Sequence, residues 1–489
     1  MAAQTHLAFD LGAESGRALL GELDSGRLRV RELHRFPNGL LTLRGHQHWN
    51  IFRLFEQLLH ALRLCADQGI KPASIGVDTW GVDFGLLDCQ GNILGPPYSY
   101  RDDRTRGAME SFARKVPLER VYELTGIQLL PINTLFQLES MVREGSALLE
   151  AARDLLFIPD LLHYLLSGVK ATEFSFATTS QLYNPTTKQW EPELLAALGL
   201  DRSLLQPIVQ PGSVLGELSD DVAQQTAVGP LPLVAVATHD TGSAVVAAPT
   251  QGKGWAFISS GTWSLMGIES AQPLINEQTR AANLTNEGGV EGTFRVLKNV
   301  MGLWLIQRCR AAWGGADYAE LTRAAREAAP LCSVIDPDHP SFLNPTDMPH
   351  AIRAFCRRSG QPVPETQPAM VRCVLESLAL KYRLVLDQLR QATDEPIERI
   401  HVIGGGARNR LLCQLTADFT SLPLLAGPVE ATAVGNLLMQ ARALGAIDSL
   451  AHLRGVVAES FEVKRYEPQP VAGLDEAYQR LQQLVGAQE

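Results

Sequence analysis

At 489 residues the chain is longer than one hydrophobic core ordinarily supports, and its length points to two or three domains. A content of 45% hydrophobic and 20% charged residues is that of a globular protein, and a net charge of -10 argues against nucleic acid or an anionic membrane as the main partner. An anionic ligand must then be held locally, by backbone N–H groups, helix N-termini or a metal ion.

No apolar run approaches the roughly 20 residues that span a bilayer. The start, Met-Ala-Ala-Gln-Thr-His, carries no charged leader region or cleavage site before the first strand-like segment, so a cytoplasmic location is expected. The 7 cysteines show no CxxC or Cys/His pairing, which suggests neither a disulfide framework nor a zinc site. Buried thiols are the simpler reading.

From His6 the chain reads HLAFDLGAESGRALLGE. An apolar strand ends in Asp10, turns through Gly12 to Gly16, and returns as a second strand from Arg17. A hairpin turn of Gly, Ala and Ser brings backbone N–H groups together in a concavity that can hold phosphate oxygens, and Asp10 beside it can hold a cation through water. A plain hairpin remains the alternative. There is no GK[ST], so this is not a Walker loop.

A helical pattern follows His48 to Ile51 and stops at Gly69 and Pro72. The next stretch, SIGVDTWGVDFGLL, predicts a strand over Ile75 to Val77 that breaks at Asp78-Thr79-Trp80-Gly81. Trp80 with Gly81 at a strand end suits a sugar face and its hydroxyls, or equally a core tryptophan beside a turn glycine. The polar run Tyr100 to Arg106 offers hydrogen bonds to a polyol or forms a solvated loop. Helical pattern then extends from Ala108 to about Leu166, and the Ser/Thr-rich FSFATTSQL starts at Phe174.

Leu233 to Ala237 is a β-branched apolar run bounded by Pro230 and Pro232, a predicted buried strand. It ends in Thr238-His239-Asp240-Thr241-Gly242. A carboxylate at the C-terminal end of a buried strand sits where open α/β sheets bind ligands, which makes Asp240 the candidate base. The competing reading is a cap, Asp240 or Thr241 closing a helix that begins near Ser243.

From Gly254 the sequence GWAFISSGTWSLMGIES echoes the first hairpin: Ala-Phe, a short step to Gly and Ser, and an apolar return. Two such units suggest two similarly folded domains with the ligand between them. Polar turns at Asn283 to Gly289 and Lys298 to Gly302 precede a helix from Leu303, and a long helical stripe covers 369–391. The strand Ile400 to Ile403 runs into Gly404-Gly405-Gly406 and a helix, a setting that lets backbone approach a nucleotide, but without the GxGxxG spacing of a dinucleotide site. Cys356 and Cys373 sit near facing ends of two helix-like segments, where a helical hairpin brings them within disulfide reach, Cα atoms roughly 4.4 to 6.8 Å apart; two unrelated buried thiols is the alternative.

Taken together, FDLGAESGR, HDTGSAV, SSGTWSLMG and VIGGGARN resemble the FGGY carbohydrate kinases of the actin, hexokinase and Hsp70 ATPase superfamily, over most of the chain. The resemblance implies an α/β protein of two ribonuclease H-like domains with a central cleft, 1–247 for the sugar and the base and 248–489 for the nucleotide. It implies ATP and Mg²⁺ as cofactors, a small-molecule sugar as partner, and Asp240 as general base. Trp80, Gly81, His239, Asp240 and Thr241 then line the sugar pocket. Ala13, Glu14, Ser15, Gly16, Arg17, Thr262, Asn299, Gln307 and Gly405 fall at nucleotide-contacting positions, with Asp10 toward the metal. Glu14 stands where such loops commonly carry a small polar residue. Within the family, DTWGVDF, THDT, SSGTWS, NLTNEGG and LKNVMGLW together resemble kinases that use the 1-hydroxyl of L-rhamnulose as phosphoryl acceptor. Rival readings are L-fuculose, L-ribulose or D-xylulose as acceptor, or a non-catalytic actin-like sensor.

Overall fold

The computed structural model describes residues 3–486. The chain forms two compact units, and no single cut separates them. The first gathers the chain up to Pro249 with Glu269–Val296 and Ala431–Ser460; the second gathers Thr250–Ile268, Leu297–Glu430 and the chain from Phe461 onward. The spatial units are thus not linear segments, since Glu269–Val296 and Ala431–Ser460 return to the first.

In the first unit six strands form one sheet, in the order Ser213–Glu217, Pro232–Ala235, Ile75–Thr79, Gln4–Leu11, Ser15–Asp24, Arg27–Pro37. Gln4–Leu11 and Ser15–Asp24 are the predicted hairpin, paired antiparallel from Gln4 with Leu23 to Leu11 with Gly16. Ile75–Thr79 and Pro232–Ala235 lie parallel to Gln4–Leu11 in the sheet. Parallel central strands buried on both faces read as near-continuous apolar runs, which is why Leu7, Phe9, Ile75, Val77, Leu233 and Val234 are all fully buried. Helix Ile51–Asp67 covers the sheet with Leu54, Leu58 and Leu62, and Asn50 caps it by accepting the Arg53 N–H. The stretch expected to be helical throughout from Ala108 contains a strand, Asp154–Phe157, paired with Phe84–Leu87.

The second unit repeats the opening. Trp255–Ser260 and Trp263–Ser270 form an antiparallel hairpin, and Trp255–Ser260 runs parallel to Arg399–Ile403, which runs parallel to Leu424–Ala426. The 26-residue helix Gln367–Ala392 supplies much of this unit's core through Val371, Leu375, Leu378, Tyr382 and Leu389. No helix among the described residues is long and apolar enough to cross a membrane.

Candidate active site

In the first unit the ends of three parallel strands bring carboxylates together. Asp10 and Asp78 are register partners on neighbouring strands, and the third strand leads through Thr238 to Asp240. Thr79 donates its backbone N–H to Thr238 O at 2.9 Å, so the sheet continues as an isolated bridge between Thr79 and His239. Asp78 is wholly buried. Burial, then the charges of Asp10 and Asp240, hold its carboxyl well above the usual range, against the hydrogen bond from Asn436 and the Arg17 charge. Arg17 forms an ion pair with Asp10, closing the base of the first hairpin.

The helix that follows is Asp240–Val246, three residues earlier than the capping reading placed it. His239 occupies the N-cap position without a side-chain capping bond. Asp240 lies in the first turn, where a negative charge is favoured by the helix dipole. Its Oδ1 accepts from Thr241 N at 2.5 Å and Thr241 Oγ1 at 3.2 Å, and faces His239 Nε2 at 3.4 Å. Every one of these contacts falls on Oδ1, which leaves Oδ2 as the oxygen open to an incoming proton, on a side chain one-third exposed.

His239 is packed from several sides. A Cβ on Gly81 would lie 3.2 Å from its Nε2, so glycine is what allows the ring to sit there. Its Nδ1 is 3.3 Å from Arg295 Nη2 and 3.2 Å from Glu287 Oε2. Its backbone N–H donates to Ser175 Oγ at 3.2 Å, and Thr238 donates both its N–H (3.0 Å) and its hydroxyl (2.8 Å) to Glu173. Glu173 also caps the buried helix Phe174–Thr179 by accepting from Ser175 and Phe176. Burial raises its pKa, opposed by this ring of donors. Ser175, in the Ser/Thr-rich stretch, thus supports the turn that carries Asp240 through its backbone, together with Glu173 just before it.

Trp80 belongs to a buried cluster. Its ring packs on Trp49 at 4.0 Å, and both indole N–H groups donate to Asp83 Oδ2, at 2.6 Å from Trp49 and 2.9 Å from Trp80. Tyr100 N and Gln137 Nε2 add further donors to Asp83. Burial nonetheless pushes this carboxyl up to about 6. Between Gly81 and Asp83 the backbone of Val82 has φ +67, a left-handed conformation uncommon for a β-branched residue, held by Thr134 Oγ1 donating to Val82 O at 2.6 Å. The core reading of Trp80 describes its contacts, and Gly81 is the member of the pair that faces His239.

In the first hairpin turn Gly12 N donates to Ser15 O, and Asn38 ties the loop down through Gly12 O and Glu14 O. A Cβ on Gly16 would fall 2.3 Å from the Phe36 ring. Glu14 is exposed and Ala13 half-buried, so this loop offers backbone rather than side chains.

The second unit assembles a separate group around its own hairpin. Gly302 N and Trp304 N donate to Thr262 O, and Leu303 N to Gly261 O, which seats the start of helix Trp304–Ala312 on the Gly261–Thr262 turn. A Cβ on Gly302 would lie 2.6 Å from the Trp263 backbone, so the approach requires glycine. Asn299 lies three residues before Gly302 on the strand Phe294–Met301, and Gln307 is one turn into the helix, its Oε1 buried without a hydrogen-bond partner. Gly404 and Gly406 pack against Ser260, whereas a Cβ on Gly405 would meet nothing within 4 Å. Thr262, Asn299, Gln307 and Gly405 all belong to the second unit, each on an element that joins or neighbours the Ser260–Thr262 turn; Asp10, residues 13–17, Gly81 and residues 239–241 belong to the first.

Asp78, Asp83, Glu173, Glu287, Arg295 and Asn436 were not singled out from the sequence. Asp78 and Asp83 stand inside DTWGVDF and Glu287 inside NLTNEGG, strings whose density of polar residues at strand ends was the available signal. Arg295 and Asn436 carry no local signal.

A doubled strand–Gly/Ser turn–strand unit, with a carboxylate at the end of a parallel strand, puts a candidate base where open α/β sheets bind ligands. Residues 5–247 match the N-terminal domain, and residues 256–444 the C-terminal domain, of the FGGY family of carbohydrate kinases. The chain belongs to this family. It is 49% identical over 475 residues to a rhamnulokinase of Bacteroides thetaiotaomicron, covering 97% of this chain and 98% of that one. A rhamnulokinase of Enterococcus faecalis is 43% identical, covering 96% of this chain and 95% of its own length. Among solved structures, a ligand-bound xylulose kinase from Lactobacillus acidophilus superposes with a TM-score of 0.81 at 16% identity, covering 99% and 98% of the two chains. A Plasmodium falciparum glycerol kinase with ADP gives 0.79 at 13% identity, covering 99% and 98%. At such identities the structural likeness speaks for the fold alone.

Proposed function

We propose that this kinase transfers the γ-phosphoryl group of ATP to the 1-hydroxyl of L-rhamnulose, in the cytoplasm. The observation that carries the chemistry is Asp240, with Oδ1 engaged by Thr241 and His239 and Oδ2 open. Two relatives of 43% and 49% identity over nearly their whole lengths, both named rhamnulokinase, support the choice of acceptor.

In the proposed reaction Asp240 Oδ2 accepts the proton of the acceptor hydroxyl as that oxygen forms its bond to the γ-phosphorus. The bond from phosphorus to the β–γ bridging oxygen breaks, and ADP leaves. The transition state is loose, so the protein mainly aligns the groups and stabilises charge. His239, Thr241 and Gly81 orient the sugar, with Trp80 supporting Gly81 from behind. In the first unit the backbone of Ala13, Glu14, Ser15 and Gly16, with Arg17 beside it, is assigned to the nucleotide phosphates; in the second unit Thr262, Asn299, Gln307 and Gly405 are the residues assigned to the nucleotide.

Mg²⁺ fits the donor set of the first unit. Asp10 and Asp78 offer hard oxygens, and Asp78 Oδ1 is buried and accepts no hydrogen bond. Among the described residues no cluster of three or more His, Cys, Asp or Glu is arranged to hold a metal by itself. Asp10 would hold the ion through water, the mode usual for Mg²⁺, which binds with one or two carboxylates and substrate phosphates. Bound there, Mg²⁺ supplies positive charge to the phosphates.

The test is an ATP-coupled assay across L-rhamnulose, L-fuculose, L-ribulose, D-xylulose and glycerol. A kcat/KM for L-rhamnulose well above the others is expected. A higher value for another ketose would replace the acceptor, and no ATP-dependent product with any of them would remove the reading.

A further inference from the structure

The proposed reaction uses Asp240, but the pair behind it has no role so far. Arg295 is fully buried in the first unit, and its guanidinium is fixed by Nε donating to Gly288 O at 3.0 Å and Nη2 lying 3.2 Å from Glu287 Oε2. The same Nη2 is 3.3 Å from His239 Nδ1. A guanidinium has five N–H donors and no acceptor, so a hydrogen bond between Arg295 and the imidazole requires a lone pair on Nδ1. On the other side of the ring, Nε2 faces Asp240 Oδ1 at 3.4 Å, and an ionised carboxylate only accepts. Both neighbours therefore select the same arrangement.

Resting on the functional reading above, we propose that Arg295 is a positioning residue that holds His239 in the tautomer with hydrogen on Nε2, so that the edge of the ring 3.4 Å from Asp240 Oδ1 carries a hydrogen rather than a lone pair. The competing tautomer would donate Nδ1–H to Glu287 Oε2, 3.2 Å away. It would set an N–H of Arg295 against an N–H of the ring, and the Nε2 lone pair against the Asp240 carboxylate. Arg295 removes that option. The consequence falls on the base: Thr241 N and Thr241 Oγ1 donate to Oδ1 and the Nε2–H side of His239 stands 3.4 Å from it, which leaves Oδ2 for the acceptor hydroxyl of the proposed reaction. Gly81 completes the arrangement, since a Cβ there would press on Nε2 at 3.2 Å.

The direct test is the nitrogen NMR spectrum of the full-length enzyme carrying ¹⁵N-labelled histidine, with the His239→Asn spectrum used to assign the ring. His239 is expected to show a pyridine-like Nδ1 and a pyrrole-like Nε2. Arg295→Met, which keeps the length of the side chain and deletes every donor, is expected to lose that signature. It should also lower kcat on L-rhamnulose by about tenfold to a hundredfold, the usual cost of removing a group that orients a reacting one, with KM for ATP nearly unchanged. Arg295→Lys, still a donor, is expected to recover part of kcat. Glu287→Gln serves if Arg295→Met does not fold, and is expected to keep the Nε2–H tautomer because Arg295 remains. A pyrrole-like Nδ1 in the wild type would overturn the proposal, as would a folded Arg295→Met with wild-type kcat. A wild-type enzyme that phosphorylates no ketose would instead remove the functional reading, while the spectrum would still decide the tautomer.

Discussion

Asn436 donates a side-chain hydrogen bond of 2.6 Å to Asp78 Oδ2 across 358 residues of sequence. The bond is one link in a buried chain: Gln440 Nε2 donates to Asn436 Oδ1 at 2.7 Å, Ser74 Oγ donates to Gln440 Oε1 at 2.8 Å, and His6 Nδ1 contacts Ser74 Oγ at 2.8 Å. Helix Ala431–Ala443 therefore completes the first unit from below, and its polar face satisfies groups that the parallel strands leave buried.

Asn436→Ala leaves Asp78 Oδ2 buried without its donor. The expected loss of stability is about 1–3 kcal/mol, the cost of stranding a buried polar group. Urea unfolding of the variant against the wild type measures it. A midpoint unchanged within error would mean the bond contributes nothing.

Gly435 on the same helix lies so close to the Asp240–Val246 helix that a Cβ would fall 1.8 Å from Ser243 O. Backbone cannot yield as a side chain tip can. Gly435→Ala is expected to cost about 1–3 kcal/mol or more of stability and to displace the turn that carries Asp240, so kcat should fall together with the thermal midpoint. Wild-type kcat with an unchanged midpoint would contradict the close packing.

Asp83 gives a pH dependence with a definite sign. Its folded pKa is raised by burial from 3.8 to about 6, so between those values the folded protein holds a proton that the unfolded chain has released. Its contribution to stability is therefore fully present below about pH 4 and is lost as pH rises through about 6, by on the order of 3 kcal/mol at most. Asp83→Asn cannot titrate. The stability of the wild type relative to this variant should fall from about pH 4 to about pH 7 in urea titrations and be flat above. A flat difference would show that the donors from Trp49, Trp80, Tyr100 and Gln137 outweigh burial.

Cys356 and Cys373 are both buried free thiols, and each perturbs the other's titration, lowering that of Cys356 and raising that of Cys373. The influence of Cys356, with burial, holds the Cys373 thiol well above its ordinary range. Peptide mapping without reductant after air oxidation is expected to find the two cross-linked in part, and Cys356→Ser to leave turnover nearly unchanged. Full alkylation of both thiols under every condition would contradict the first expectation, and a large loss of turnover the second.

What the sequence disclosed follows from how local the signals are. The two hairpins, the strand before Asp240 and the glycine runs at Gly12 to Gly16 and Gly404 to Gly406 are written in contiguous residues, and the structure contains each of them. The apolar stripe of the first helix is less legible: Phe52 is apolar yet exposed, because the phase of a 17-residue helix is set by what packs on it. Trp80 illustrates the same limit. Nothing local shows that its ring packs on Trp49 and its N–H donates to Asp83. Asn436 and Arg295 lie far in sequence from the groups they serve, and no periodicity or turn signal marks them. The return of residues 269–296 and 431–460 to the first unit escapes a linear reading for the same reason.

The most direct measurement is turnover of Asp240→Asn on L-rhamnulose, with binding of a non-hydrolysable ATP analogue followed by calorimetry on the same preparation. Asparagine keeps the shape and the bonds to Thr241 but cannot accept the proton. Loss of kcat by on the order of 10²- to 10⁴-fold, with the analogue bound as tightly as by the wild type, is the result expected of a general base at this position. Near wild-type turnover by Asp240→Asn would contradict the assignment of Asp240 as the proton acceptor.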